Sequence, residues 1–166
     1  MDFTVINNTQ NVPTGVNKRG TLVVADDAPV IRTIIKNSLP DFNIVEATNG
    51  DEAIQRLEER NYNVDGMFLD LLMPVSDGFK VLEEMKQKGV FVPTTVISGD
   101  DSVDTVQRVC NNYPNTDYVS KPLRRDKIQE AADRMQRTKN AYIQPQSNTV
   151  YSNEVVEESN SYQRAA

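Results

Sequence analysis

The sequence predicts a single α/β domain built on a five-stranded parallel sheet with helices on both faces. Short apolar runs alternate five times with stretches of helical period, and this alternation is typical of parallel strands joined by crossover helices. Each run contains adjacent apolar residues, which favours strands that are covered on both faces. A length of 166 residues suits one such domain with additional chain at its ends.

The five apolar runs predict the strands. They are TLVVA before Asp26, NIVEA ending at Ala47, DGMFLDL containing Asp70, TTVI before Ser98, and DYV ending at Val119. The stretches between and after these runs predict five helices, so that strands and helices alternate strictly along the chain.

The predicted helices carry apolar residues at the spacing of one helical face. Asn49 with Glu52 three residues later predicts a capped start for the second helix. Cys110 and Met135 fall on apolar faces and are expected in the core. The apolar positions of the other four helices are Val30, Ile31, Ile34 and Ile35; Gly78, Val81, Leu82 and Met85; Val103, Val106, Val109, Cys110 and Tyr113; and Ile128, Ala131, Ala132 and Met135.

Both ends of the chain are predicted to be tails. Residues 1–19 and 139–166 show no sustained apolar period, so we expect the folded domain to span residues 20–138. Three interpretations stay open for the C-terminal segment, which contains several tyrosines: a docking segment, a linker from a longer chain, or disorder.

Composition narrows the class of partner. A net charge of -6 and a pI near 4.7 argue against nucleic-acid and anionic membrane surfaces, since both need clustered Lys and Arg. No apolar run approaches the roughly 20 residues that cross a bilayer. The only cysteine is Cys110, and no signal-like segment opens the sequence; these features indicate a cytoplasmic protein.

Polar side chains follow four of the five predicted strands. The first strand ends in Asp26 and Asp27, the third in Asp70 and the fourth in Ser98, while Lys121 follows the fifth. Ligand sites in such sheets form at the carboxyl ends of the strands. We therefore expect these five side chains to meet at one edge of the sheet.

This set of residues predicts chemistry with phosphate and a metal ion. Three neighbouring carboxylates repel one another and favour a bound cation, and hard oxygen ligands with open positions suit Mg²⁺. A carboxylate is a competent nucleophile in phosphoryl transfer, which indicates Asp70 as the acceptor. Ser98 would donate to one phosphoryl oxygen and Lys121 to another.

Each of these residues also has an ordinary structural interpretation. An Asp-Asp pair is usually a turn and helix cap, Ser98 alone suits a helix cap, Asp70 suits a strand-end loop, and a single lysine is usually solvated. The coincidence of all of them at one edge favours the functional interpretation.

The segments VVADD, FLDLLMP, VISGDD and YVSKP resemble the receiver domains of response regulators, the chemotaxis receiver included, over residues 20–137. The resemblance implies a flavodoxin-like fold with the strand order 2-1-3-4-5, an order already known for this family. It further implies transfer of a phosphoryl group to Asp70 from a histidine kinase or phosphotransfer protein. The signal would pass to a downstream protein through the surface of helix 4, strand 5 and helix 5.

The resemblance also implies roles for single residues. Asp26, Asp27 and Asp70 would hold Mg²⁺. The backbone carbonyl of Leu72 would complete the protein ligands. Tyr118 would act as a rotating aromatic switch together with Ser98, and the bond between Lys121 and Pro122 would be cis.

Two positions depart from the family pattern. Leu72 is apolar where relatives often carry a polar residue, and Ser98 stands where many relatives have Thr.

The competing functions are a receiver-like binding module that is never phosphorylated and an aspartyl-phosphate hydrolase. The hydrolase normally needs an acidic residue two positions after the nucleophile, where this chain has Leu72, so we expect a regulatory phosphoacceptor and not an enzyme.

Overall fold

The computed structural model describes residues 18–147 and contains one sheet of five parallel strands in the order β2-β1-β3-β4-β5. The fold class, the strand order and the strict alternation of elements are confirmed. In chain order the elements are β1 Gly20–Ala25, α1 Pro29–Ser38, β2 Phe42–Ala47, α2 Gly50–Glu58, β3 Gly66–Asp70, α3 Gly78–Lys88, β4 Thr94–Ser98, α4 Val103–Asn112, β5 Thr116–Ser120 and α5 Arg125–Ser147.

The strands divide their side chains between two hydrophobic clusters, one on each face of the sheet. On one face Val23, Met67 and Val96 pack with side chains of α2, α3 and α4. On the other face Leu22 and Phe68 pack with side chains of α1 and α5. Because successive strand residues point to opposite faces, an unbroken apolar run supplies both clusters. Helices therefore cover both faces, as the sequence predicts.

The register of the sheet brings the strand ends to one edge. Ala25 at the end of β1 pairs with Ala47 of β2 and lies opposite residue 69, while Asp70 at the end of β3 lies opposite Ile97 of β4. The loops that follow β1, β3, β4 and β5 consequently leave the sheet side by side. This edge is where polar side chains from distant parts of the sequence meet.

The second helix begins as predicted. The Asn49 side chain accepts a hydrogen bond from the Glu52 backbone N–H at 2.9 Å, and the Glu52 carboxylate accepts one from the Thr48 N–H at 2.8 Å. The first bond satisfies an N–H group that the first helical turn leaves free, and the second ties Glu52 to the residue that precedes the cap.

The expectation that Cys110 lies in the core is wrong, because its side chain is exposed. Within α4 only Val109 is buried, so the helix meets the sheet along a narrow stripe that its neighbour at position 110 misses. Met135 is buried under the sheet, as expected.

The structure differs from the predicted C-terminal boundary at residue 138. Helix α5 continues to Ser147, and the Tyr142 ring stacks on Phe91 with centroids 3.8 Å apart and planes inclined by 5°. This aromatic contact extends the packed part of the chain. Among residues 18–147, no helix has the length and apolar character needed to cross a membrane.

Tertiary contacts also begin before residue 20, the predicted start of the folded domain. Arg19 donates its backbone N–H to the Asp41 carbonyl at 2.7 Å, and its guanidinium lies 2.7 Å from the Asp133 carboxylate on α5. Arg19 therefore belongs to the packed domain. The remaining tail predictions, for residues 1–17 and 148–166, lie outside the described residues.

Candidate functional site

Three acidic side chains meet at the carboxyl edge of the sheet. Asp26 and Asp27 follow β1, Asp70 ends β3, and each offers a carboxylate oxygen within 4.8 Å of the others. Asp26 and Asp70 are buried, whereas Asp27 is exposed. The arrangement is an acidic pocket that is buried on the side of Asp26 and Asp70 and open to solvent on the side of Asp27.

Lys121 closes this pocket from the side of β5. Its ammonium nitrogen lies 2.8 Å from Asp26 Oδ2 and 2.8 Å from Asp70 Oδ2. Its backbone N–H donates to the Ser98 carbonyl at 2.8 Å, and the peptide bond between Lys121 and Pro122 is cis. One lysine thus contacts two carboxylates from two different strands.

The carboxylates outnumber the cation that faces them. Burial raises the pKa of Asp70 above its usual value, and the Lys121 ammonium and the Leu72 N–H offset this only partly. Burial alone would lower the pKa of Lys121, but Asp26 and Asp70 raise it. With all groups ionised, the three aspartates and Lys121 carry a formal charge of about -2, which favours a further cation.

The donor set fits a hard divalent cation. Asp26 Oδ1 accepts from the Ala28 N–H at 2.9 Å, and the Lys121 ammonium, 2.8 Å away, is the partner of the buried Asp26 Oδ2. Because Lys121 is shared by two buried carboxylates, a further cation would lower the cost of burying both. Oxygen ligands of this kind, with one side open to water, suit Mg²⁺.

The loop after Asp70 is held close to the acceptor. The Leu72 N–H donates to Asp70 Oδ1 at 3.2 Å, while the Leu72 side chain is 68% exposed. At the start of α3, a Cβ on Gly78 would lie 2.2 Å from the Asp70 carbonyl oxygen. The helical period predicts Gly78 on the apolar face of α3, and the fold adds that its missing side chain lets α3 approach the Asp70 backbone.

Ser98 and Tyr118 are linked through a residue that sequence analysis missed. Ser98 is buried at the end of β4, and its Oγ accepts from the Asp100 N–H at 3.2 Å. The half-buried Tyr118 donates its hydroxyl to the Asp100 carbonyl, and burial raises the pKa of Tyr118. The Asp100 carboxylate accepts from the Ser102 N–H at 3.0 Å and the Thr105 hydroxyl at 2.7 Å.

These contacts make Asp100 the meeting point of the acidic edge, β5 and the first turn of α4. Its signal in the sequence was the polar run before α4, in which Ser and Asp are frequent capping residues. Only the folded chain shows that its backbone also contacts Ser98 and Tyr118.

Comparison with known proteins agrees with this geometry. The family model described as "Response regulator receiver domain" matches residues 22–133, and the chain belongs to this family. It is 31% identical over 120 residues to the chemotaxis protein CheY of Listeria monocytogenes, an alignment that covers 68% of this chain and 95% of CheY.

Other relatives are longer than the matched region. Response regulator RR06 of Streptococcus pneumoniae is 33% identical over 104 residues, covering 61% of this chain and 46% of RR06. The chain spans about half the length of such relatives: 53% of the probable C4-dicarboxylate response regulator DctR of Priestia megaterium is covered at 23% identity.

Among solved structures, the receiver domain of the Francisella response regulator 1452 superposes with a TM-score of 0.62 at 27% identity, covering 72% of this chain and 98% of that domain. The receiver domain of a LuxO repressor protein from Vibrio parahaemolyticus shows the same fold, with a TM-score of 0.68 at 21% identity and coverage of 75% and 96%.

Family membership supports a coarse function. Receiver domains are regulatory phosphoacceptors of two-component signalling and not classical enzymes, and they generally bind Mg²⁺ in an acidic pocket. Response regulators interact with histidine kinases or phosphotransfer proteins and with downstream targets. The acidic cluster of this chain is consistent with these properties.

Proposed function

We propose that this chain is a phosphorylation-dependent switch in which Asp70 accepts the phosphoryl group. The observation that carries the proposal is the position of Asp70: buried at the end of β3, 2.8 Å from the Lys121 ammonium and grouped with the carboxylates of Asp26 and Asp27. A nucleophilic carboxylate beside a fixed cation is what phosphoryl transfer to a protein side chain requires.

In the proposed transfer, a carboxylate oxygen of Asp70 forms a bond to phosphorus while the bond from phosphorus to the donor histidine nitrogen breaks. The electron pair of that bond stays with the donor. The Lys121 ammonium contacts one phosphoryl oxygen, and the Ser98 hydroxyl donates to another. The acyl phosphate carries about one more negative charge than the carboxylate, and Lys121 is placed to stabilise it.

Asp26, Asp27 and Asp70, with the backbone carbonyl of Leu72, would hold the Mg²⁺ ion. Bound there, the ion would supply positive charge that offsets the charge of the phosphoryl group. Replacing Asp27 by Ala leaves two carboxylates and should weaken both Mg²⁺ binding and phosphorylation.

We further propose that the signal leaves through α4, β5 and α5. The chain of contacts from Ser98 through Asp100 to Tyr118 and Thr105 supports this route. When Ser98 turns toward a phosphoryl oxygen, Asp100 and the start of α4 would follow, and the Tyr118 ring would occupy the space that Ser98 leaves. A phosphoryl group that binds one packing better shifts the population toward it.

The proposed partners are a histidine kinase or phosphotransfer protein as donor and an unidentified protein as target, in the cytoplasm. The net charge of -6 favours protein partners over nucleic acid for this chain. The competing function, an aspartyl-phosphate hydrolase, needs an acidic residue two positions after Asp70, where this chain has the exposed apolar Leu72. We therefore do not propose external phosphate esters as substrates.

Labelling with a small phosphodonor such as acetyl phosphate tests the assignment. We expect intact-protein mass spectrometry to show one added phosphoryl group only when Mg²⁺ is present, and none in Asp70→Asn, which lacks the nucleophile. Asp101→Asn, a change to an exposed acidic residue at the same edge, is the matched control and should label normally. Stoichiometric labelling of Asp70→Asn at another residue would refute the proposal.

A further inference from the structure

Arg32 of α1 contacts the backbone of both acidic residues that follow β1. Its Nη1 donates to the Asp26 carbonyl at 2.8 Å and to the Asp27 carbonyl at 3.2 Å. The side chain is 13% exposed, so the guanidinium is largely enclosed. One nitrogen therefore bridges the carbonyls of two successive residues, and the side chains of these residues are two of the three carboxylates in the acidic pocket.

The neighbouring strand holds Arg32 in this position. Arg32 Nε donates to Glu46 Oε2 at 3.0 Å, and Glu46 lies in β2 next to Ala47, whose carbonyl accepts from the Asp26 N–H at 3.2 Å. Hydrogen bonding to Arg32 is also the main reason that the pKa of Glu46 is lowered. The guanidinium is thus fixed between β2 and the loop that follows β1.

The loop has few other restraints. Ala28 at the start of α1 provides no side-chain cap, and the bond from the Ala28 N–H to Asp26 Oδ1 restrains only the first acidic side chain. Two adjacent carbonyls pointing toward one guanidinium fix the peptide planes on both sides of the Asp27 Cα. The direction in which the exposed Asp27 carboxylate leaves the backbone then follows from the Arg32 contacts.

We infer that Arg32 is a positioning residue for the metal site, which holds the Asp26 and Asp27 backbone so that both carboxylates reach one Mg²⁺ ion. The inference deepens the proposed function and rests on it. Partners of metal ligands matter in this way because they fix the orientation of the ligands before the ion arrives.

The positive charge of Arg32 by itself disfavours Mg²⁺ binding, whereas its positioning role favours it. Replacing Arg32 therefore changes the Mg²⁺ affinity in opposite directions under the two explanations. A guanidinium near the site repels Mg²⁺, so removing it would strengthen binding if only charge mattered. Lys36 offers the matched control: its ammonium lies 3.3 Å from Glu46 Oε1 on the same helix, and it has no hydrogen bond to the Asp26 or Asp27 carbonyls among the described contacts. Lys36→Met removes one positive charge, as Arg32→Met does, and leaves the hydrogen bonds from Arg32 to the Asp26 and Asp27 carbonyls in place.

The experiment titrates the full, unphosphorylated chain with Mg²⁺ alone, followed by amide NMR shifts at the acidic edge. We expect Arg32→Met to raise the Kd by about tenfold, in the range seen when partners of metal ligands are removed. Lys36→Met should leave the Kd unchanged or lower it. Thermal unfolding of each variant accompanies the titration, and Arg32→Lys, which keeps the charge but not the forked geometry, should also raise the Kd.

Each outcome bears on a separate claim. An unchanged or lower Kd in Arg32→Met, or in Arg32→Lys should the first variant fail to fold, overturns the positioning role. If the unchanged chain does not bind Mg²⁺, or binds it no more tightly than Asp27→Ala does, the metal site itself is wrong and the proposed function loses its cofactor.

Discussion

At the scale of single residues, the polar groups inside the protein fall into two kinds. Among the described residues, the buried Asp26 Oδ2 has the Lys121 ammonium as its partner at 2.8 Å, whereas the buried Thr95 Oγ1 has no hydrogen-bond partner. The Thr95 hydroxyl lies within the sheet, fully buried, and no function uses it, so it should cost stability.

We expect Thr95→Val to stabilise the protein by about 1 kcal/mol, because it replaces an unpaired buried hydroxyl by a methyl group of similar size. The adjacent Thr94 is the control. Its hydroxyl donates to the Val92 carbonyl at 3.0 Å, so Thr94→Val should destabilise the protein by a similar amount. Urea unfolding measures both changes, and a loss of stability in Thr95→Val would show that its hydroxyl finds a partner.

The candidate site also shows how far single residues could be predicted. Asp26, Asp70, Ser98 and Lys121 could be placed at one edge from the sequence, because parallel strands deliver their carboxyl ends to the same side. Arg32 could not be assigned, since an arginine on an amphipathic helix is ordinarily a solvated residue. Its role depends on two backbone carbonyls and on Glu46, which is 14 positions away.

At the scale of elements, α4 is the helix with the least support from the core. Val109 is its only buried residue, and its first turn is held by Ser102 and by the Asp100 contact to Thr105. A helix with so few buried contacts moves at low cost. This makes α4 the element through which a change at Ser98 would reach the surface.

A phosphoryl mimic such as beryllofluoride, added to the full chain, should shift the amide signals of residues 101–113 and 118–128 more than those of α2. We expect Ser98→Ala to bind the mimic and lose most of this remote change, because the hydroxyl that pulls on Asp100 is gone. Tyr118→Phe, which removes only the hydroxyl, should reduce the change at α4. NMR spectra of free and mimic-bound protein measure each case.

The proposed route would be contradicted by a Ser98→Ala protein that binds the mimic and still shows the full amide shifts at residues 101–113 and 118–128. The output surface would then lie elsewhere, for example on α1, where Val30 is an exposed apolar residue.

At the scale of the whole molecule, the C-terminal part of α5 joins the edge of the sheet opposite the acidic pocket. Tyr142 stacks on Phe91, which precedes β4, and both line a cavity of about 290 Å³ together with Met85 and Tyr113. The domain therefore packs beyond residue 138.

We expect Tyr142→Ala in the full chain to lower the free energy of unfolding by about 1 kcal/mol, the usual contribution of a stacked aromatic pair. Ile143→Ala is the control, since Ile143 is a half-exposed neighbour on the same helix and should change stability little. Phosphorylation of Asp70 should continue in both variants, because the stack lies at the far edge. Equal stability of the two variants would show that the stack does not hold α5 to the domain.

The sequence by itself determined the order and type of the ten elements between residues 18 and 147 and the edge at which the polar residues gather. The physical reason is that this information is local. Strand and helix periods repeat every 2 and about 3.6 residues, and the last residue of each parallel strand necessarily lies at the same side of the sheet.

Only the tertiary structure decided which apolar positions are covered and which polar groups touch. Cys110 shares an apolar face with Val109, yet it is exposed because α4 meets the sheet along one narrow stripe. Tyr142 and Phe91, or Arg32 and the two loop carbonyls, meet through the packing of elements that are separate in the sequence. Periodicity marks the side chains that a helix can bury, but burial and hydrogen bonding depend on the neighbour that arrives, which is a property of the assembled fold.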